Sequence, residues 1–499
     1  MAGTSTRSVI RWAAVVAAVI FPVVLIGVGG PPQAVTSVVT FHPAVSDFQF
    51  ITASETPPTQ AQCASVGRRC FNATAMQNSY NLGPLYGHGF DGRGITIGIV
   101  DSFGSDTMAH DLRVFNDAFG LPHMCGEEGV TCGSGMPMFS ELKQGNVNTT
   151  GQPPNNGTGL ETHNLWALEV ALDVEWAHAI APGANILLID TPTAEVLGVQ
   201  GFPDFFKAEK FVIDNHLADV ISQSFASGEE AFNSTQSLLN LRYAFEAARA
   251  QGVTMLAASG DSGSAATPKV PVKNPTPFPF PAVWWPASDP LVTGVGGTYL
   301  CTDPNTGLAV DSGSPPAQCQ TNPGVREVGW IAAGGGFSHV FARPLFQNVL
   351  PAGSTTIPAT ARGVPDIGYQ ASSRTGVLVY ITNPGYTGIV CPDGSLCSAG
   401  WYVVGGTSSG SPQWAALIAI ADQINGGPLG FINPALYKIG SAPARYAADF
   451  YDVTTGNNGL SAPAIPGYPA TTGWDPVTGL GTPNAAVFLP DLVEAVNGN

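Results

Sequence analysis

Charge is scarce in this chain, and positive charge is scarcest. Only 11% of its 499 residues are Asp, Glu, Lys or Arg, and 19 Lys and Arg face 36 Asp and Glu, for a formal net charge of −17. Without a basic footprint to neutralise phosphates, a nucleic-acid partner is not expected. The eight histidines form no cluster and the eight cysteines contain no C-x-x-C pair, so a zinc site is not expected either. No internal repeat is visible, which excludes a solenoid. The acidic excess serves solubility, and a protein working at low pH would shed much of that charge by protonation.

Glycine (60) and proline (42) are plentiful, which suggests many loops on a compact body. The length suffices for one large domain or two to three ordinary ones. Arg7 and Arg11 precede an uncharged run from Trp12 to Gly30, the charged and apolar parts of an export signal. The run is long for a cleaved signal and contains Pro22. Residues 1–30 therefore read as a signal peptide, with a membrane anchor over 12–30 as the alternative. Either way the bulk of the chain is expected outside the cytoplasm, secreted or on the extracellular face of a membrane. The cysteines agree, because each has a near neighbour: Cys63 with Cys70, Cys125 with Cys132, Cys301 with Cys319, and Cys391 with Cys397. Eight cysteines admit 105 pairings, and four local disulfides are the simplest set.

Residues 31–70 are rich in Pro, Thr, Ser and Gln at their start and read as a linker or short N-terminal extension. From 71 to 495 the pattern is α/β. Apolar runs at 94–102, 184–190, 218–225 and 253–263 alternate with helical stretches at 160–183 and 232–252, so a mostly parallel central sheet flanked by helices is expected, in a single large domain. Asn233 or Ser234 is the expected N-cap of the 232–252 helix, and Gly252 its stop. Sites in such sheets lie at the carboxyl ends of the strands, where the loops carry Asp101, Ser224, Asp261 and Ser408.

Ser408 stands in "VGGTSSGSPQWAAL" (404–417), which reads as strand, glycine turn and helix, a common way to display a nucleophile. Its hydroxyl needs a base. The order Asp101, His163, Ser408 fits a histidine-dependent triad, but His163 lies in "LETHNLW" at a helix start without glycines beside it. The same helix carries Glu169 and Asp173, four residues apart and so on one side. Trp166, Leu168, Val170, Leu172, Val174 and Trp176 surround them, so the pair is expected to be buried and to share protons. A carboxylate base suits acidic conditions, where an imidazole would be protonated. In "AASGDSGS" (257–264), Asp261 follows a strand; protonated, it could donate a hydrogen bond to a developing oxyanion.

Taken in order, "ExxxD" on the "AIAPGA" helix, "SGDSG", "GGTSSGSP", "YNLGPLYGHGFDGRGITIGIVDSFG", "FPAVWWPASDPLVTGVGGTYL", "RGVPDIGY" and "GWDPVTGLGTPN" resemble the sedolisin family of serine-carboxyl peptidases over about 71–492. The resemblance implies a subtilisin-like fold with Ser408 as nucleophile, Glu169 as general base, Asp173 as its orienting partner and Asp261 in the oxyanion hole. It implies that Ser224, Phe225 and Ala226 pair with substrate backbone. It further implies one structural calcium held by Asp452, Asp475 and the carbonyls of Val453, Thr471 and Gly473. The expected substrates are proteins or peptides, and the expected state is a monomer. The family's long prodomain has no full counterpart before residue 71. Two competing expectations are a histidine-dependent peptidase (Asp101, His163, Ser408) and an inactive homologue serving as a surface binding module.

Overall fold

A computed structural model describes Met1 and residues 42–43, 48–145, 160–192, 201–266, 277–382, 399–461 and 464–498, with only the backbone at 42–43, 160–165 and 460–461. The chain divides into two units, Met1–Ser37 and Val38–Asn499, and the fold described is that of the second. The apolar run at 12–30 lies outside the described residues. Among the described residues no helix is long and apolar enough to cross a membrane.

An eight-stranded sheet forms the centre. Its order is Glu327–Gly329, Thr293–Leu300, Thr254–Ala258, Val220–Gln223, Thr96–Ser102, Asn185–Thr191 and Phe139–Lys143, with Ile367–Gln370 also beside Thr293–Leu300. Every pairing is parallel except that of Glu327–Gly329. The apolar runs are too continuous for a one-faced sheet, and both faces are covered, as parallel strands require. Ile97, Ile99, Ile186 and Leu188 face a core shared with the helices Leu160–Ile180 and Gly410–Asn425. Val100, Ile189, Ile221 and Met255 face the opposite core, shared with Phe202–Asp214 and Tyr243–Gln251. The chain leaves Thr96–Ser102 for strands on one flank and later for strands on the other, which makes the carboxyl end of this strand the switch point where such sheets place their sites.

Three disulfides join Cys63 to Cys70, Cys125 to Cys132 and Cys301 to Cys319, as the spacing suggested. Four were expected. The fourth pair does not appear among these bridges, because Cys391 and Cys397 both lie outside the described residues.

Two local expectations change. The 232–252 stretch is two helices, Thr235–Leu239 and Tyr243–Gln251, rather than one. Ser234 caps the first by accepting from the Ser237 amide, and Gly252 ends the second at φ 77°. Residues 48–70 are ordered parts of the domain rather than a free linker. Phe48–Thr52 pairs antiparallel with Gly400–Val404, and Arg69–Phe71 runs parallel to Thr375–Ile381 in the same four-stranded sheet. Phe48 and Phe50 pack on Tyr402, so three aromatic rings hold the segment down where composition suggested none.

Candidate active site

The Leu160–Ile180 helix is apolar nearly all round, and from Trp166 onward its side chains are buried. Glu169 and Asp173 go inside with it, and both are completely buried. On the facing side the chain leaves Gly400–Val404 through Gly406, at φ 118°, a region that favours glycine. A short 3₁₀ turn, Thr407–Ser409, then leads into Gly410–Asn425. Gly405 has no room for a side chain, since a Cβ there would lie 2.2 Å from the Ser373 amide nitrogen. The turn is thereby pressed against the sheet, with Ser408 buried on it.

The serines that neighbour Ser408 hold partners of their own. Ser409 Oγ donates to Gln370 Oε1 at 2.9 Å, and Ser411 Oγ lies 2.9 Å from Ser222 Oγ. Among the described residues Ser408 Oγ has no well-formed hydrogen bond, and neither has either oxygen of Glu169. The two groups do sense each other: the Ser408 hydroxyl lowers the proton affinity of Glu169. Side chains that are close but imperfectly aligned are common in catalytic pairs, which tighten only with substrate bound.

Four carboxyls gather here. Burial pushes the Glu169 pKa well up, and Asp173, Asp101 and Asp261 push it further. Asp173 is also raised well above its ordinary range by burial, partly offset by the Ser224 hydroxyl. Asp101, fully buried, is raised by burial and then by Asp173. Among the described residues no cation accompanies Glu169, Asp173 or Asp101, and none of their oxygens has a geometrically good hydrogen bond. Ionising a buried, unpaired carboxyl costs several kcal/mol, so such a group holds protons in common and titrates as a unit.

Asp261 is half-buried in the loop after Thr254–Ala258. Its Oδ1 accepts from the Thr407 amide (2.8 Å) and from Thr407 Oγ1 (2.9 Å), while Thr407 Oγ1 accepts from the Gly260 amide (3.0 Å). Thr407 thus ties the Asp261 loop to the Ser408 turn. Sequence reading missed it, although its place beside Ser408 in "GGTSS" was the available signal.

Ser224, Phe225 and Ala226 lie at the next strand end. The Phe225 ring points away into an aromatic core, 4.5 Å from the ring of Phe205, leaving only its backbone for recognition. That backbone is already flanked: Phe225–Gly228 pairs antiparallel with Trp284–Trp285 on one side and with His42–Pro43 on the other. A substrate strand would have to replace His42–Pro43.

Most imidazoles are engaged elsewhere. His88 and His178 contact the Pro84 and Pro122 carbonyls, while His110, His123 and His339 contact Glu128, Glu127 and Glu230. Burial pushes His178 down to about 4. The His163 side chain is outside the described residues. Asp101, its partner in the histidine-dependent alternative, feels Asp173.

The expected calcium ligands converge away from this cluster. Asp452 accepts from the Gly473 amide, and Asp475 accepts from the amides of Thr471, Val477 and Thr478. Among the described residues no hydrogen bond ends on the carbonyls of Val453, Thr471 or Gly473. Two carboxylates with three unused carbonyls fit a hard cation. Among the described residues no group of three or more His, Cys, Asp or Glu side chains gathers as a metal site. A cavity of 630 Å³ lined by Arg326, Tyr446, Tyr451 and Asp452 adjoins this region and includes none of the residues around Ser408.

The architecture is the subtilisin-like α/β fold, with a buried serine and carboxyl cluster at its strand ends. The chain belongs to the sedolisin family. It is 33% identical to kumamolisin of Bacillus sp. (strain MN-32) over 334 residues, 66% of this chain and 51% of that protein. Identity to sedolisin of Pseudomonas sp. (strain 101) is 29% over 393 residues, 78% of this chain and 56% of the relative. Identity to tripeptidyl-peptidase 1 of Mus musculus is 29% over 338 residues, 65% and 52%. This chain spans about half the length of these relatives. In three dimensions it resembles Pseudomonas sedolisin, a serine-carboxyl proteinase solved with two molecules of pseudo-iodotyrostatin, with a TM-score of 0.60 and 25% identity over 85% of this chain and 98% of that one. No protein-family model matches the chain.

Proposed function

We propose that this chain is an acid-active serine-carboxyl peptidase working outside the cytoplasm. The observation that carries the reading is the buried Ser408 hydroxyl acting on Glu169 inside a carboxyl cluster that no cation accompanies among the described residues. Ser408 Oγ attacks the peptide carbonyl carbon while Glu169, ionised, takes the hydroxyl proton. Asp173 orients Glu169 and keeps its own proton. The tetrahedral oxyanion receives a hydrogen bond from protonated Asp261, held in place by Thr407. Glu169 returns the proton to the departing amine nitrogen, the C–N bond breaks, and an acyl ester remains on Ser408. Water then enters by the same steps: Glu169 takes its proton, hydroxide adds to the ester carbonyl, and Ser408 leaves reprotonated.

The carboxyl sharing supports the acidic working range. One proton leaves such a cluster early and the next late, so a base and protonated partners coexist below neutrality. The net charge of −17 and the disulfides are in keeping with export, and a signal peptide at residues 1–30 would deliver it. Substrates are proteins or peptides that pair with the backbone at Ser224–Ala226. Calcium fits Asp452, Asp475 and the Val453, Thr471 and Gly473 carbonyls. There it would neutralise two carboxylates and pin the C-terminal loops, with no part in the proton transfers.

The test is hydrolysis of a denatured protein across pH 3 to 8 by wild type, Ser408→Ala and Glu169→Gln. Activity confined to the acidic side and lost in both variants is expected. Activity that persists in Glu169→Gln and rises towards neutral pH would favour an imidazole base and overturn the reading.

A further inference from the structure

Thr407, the residue before Ser408, is fully buried and turns two donors on one atom of the Asp261 loop. Its amide lies 2.8 Å and its hydroxyl 2.9 Å from Asp261 Oδ1. The loop is itself fixed. The Gly260 carbonyl accepts from the Gly334 amide at 2.7 Å, and Ser259 Oγ donates to the Gly334 carbonyl at 2.7 Å. Gly260 stands at φ 104°, and a Cβ there would lie 2.7 Å from the Trp284 ring, so only glycine allows this approach. From this position the Gly260 amide donates to Thr407 Oγ1 at 3.0 Å.

These three bonds fix which way each hydrogen points. An amide can only donate, so Thr407 Oγ1 accepts from Gly260 and directs its own hydrogen to Asp261 Oδ1. Oδ1 thus receives two donors, which occupy both of its lone pairs. A proton on the same oxygen would displace one of them and leave a buried Thr407 donor unmet, which costs free energy that native structures rarely give up. In the neutral acid Oδ1 is therefore the carbonyl oxygen, and Oδ2 carries the hydrogen.

We propose, resting on the roles given above to Ser408 and Asp261, that Thr407 is a positioning residue whose hydroxyl selects Asp261 Oδ2 as the hydrogen-bond donor to the oxyanion. Without that hydroxyl the acid also holds its proton on Oδ1 or turns its carboxyl plane, and fewer molecules present a donor when Ser408 attacks. Thr407 and Ser408 are consecutive, so the same contacts hold the nucleophile's turn against the loop of its oxyanion donor. The oxyanion exists only after attack, so the effect falls on the transition state and not on bound substrate.

The experiment compares two pairs of full chains that differ by one hydroxyl: wild type with Thr407→Val, and Thr407→Ser with Thr407→Ala. Thermal unfolding checks that each is folded, and the second pair decides where Thr407→Val does not fold. The expected result is a kcat about tenfold lower in Thr407→Val and Thr407→Ala at nearly constant KM, with Thr407→Ser close to wild type. That is short of the roughly hundredfold or more for losing an oxyanion donor outright. Inhibition by a peptide aldehyde and by the matching peptide alcohol gives a second readout. Ser408 Oγ adds to the aldehyde carbon, the C=O π pair moves to oxygen and the serine proton to Glu169, so the adduct carries an oxyanion; the alcohol forms no such bond. The aldehyde should bind about tenfold more weakly to the two variants without a hydroxyl, and the alcohol equally to all four chains. A packing role would not separate the two ligands. Equal kcat within both pairs, a loss shared by Thr407→Ser, or an aldehyde weakened no more than the alcohol would overturn this inference. With Ser408→Ala still inactive, each of these spares the peptidase reading. A Ser408→Ala that hydrolyses substrate like wild type would remove the reading and the inference with it.

Discussion

Two buried acidic regions of this molecule are built on opposite plans. Asp366 sits among partners: Arg362 donates to both of its oxygens at 3.0 and 2.7 Å, Tyr437 donates at 2.9 Å and the Gly294 amide at 2.8 Å. Arg362 is itself fully buried, so the pair is matched in charge and in hydrogen bonds. Glu169, Asp173 and Asp101 are equally buried and, among the described residues, have neither cation nor well-formed donor. Matching makes a carboxylate a permanent anion and a structural tie. Its absence leaves protons shared, which costs stability at neutral pH and suits the base role proposed for Glu169. Burial alone does not distinguish the two regions; their partners do.

The contrast should survive substitution. The largest effect is expected on activity: Ser408→Ala and Glu169→Gln each lose about a thousandfold or more in kcat/KM. Glu169→Gln should unfold no earlier than wild type at pH 7, since it removes a buried acid. Arg362→Met should do the reverse. It strands Asp366 and costs about 3–5 kcal/mol of stability in denaturant titration, with activity per folded molecule little changed.

The two plans separate again with pH. Asp111 is pushed up to about 7 and Asp190 and Asp422 to about 8, in each case mainly by burial, from an ordinary 3.8. Raised acids stabilise the fold below the unfolded value and lose that contribution as pH climbs through the folded one. Melting temperature should therefore decline steadily between pH 4 and 8. A flat profile would mean that these carboxyls find partners. The smallest expected effect is at the calcium ligands. A chelator should lower the melting temperature by the equivalent of about 2.7 kcal/mol if calcium stood at a hundred times its dissociation constant, and should leave the pH profile of the remaining folded enzyme in place.

Much of the site was legible along the chain because it follows local periods. Glu169 and Asp173 lie one helical turn apart within an apolar helix, and Ser408 follows a glycine whose backbone shape only that residue favours. What could not be read is long-range register. Asp190 stands beside Asp101 only because two strands 89 residues apart pair in one alignment of several. The Phe48–Thr52 strand was hidden by its Pro- and Thr-rich surroundings, since its support comes from Tyr402, far along the chain. Thr407 was hidden because its hydroxyl acts across to the Asp261 loop. The split of the 232–252 helix at Asn240–Arg242 has a tertiary companion, because Arg242 reaches Asp289 at 2.5 and 2.9 Å.

The most direct measurement is the rate at which a fluorophosphonate labels Ser408, followed by intact mass across pH 3 to 8, in wild type and in Glu169→Gln. Labelling that is fast in acid for wild type and near zero for the glutamine variant at every pH is the predicted result. Equal labelling of both, rising with a midpoint near the imidazole value of about 6.5, would contradict the assignment of a carboxylate base.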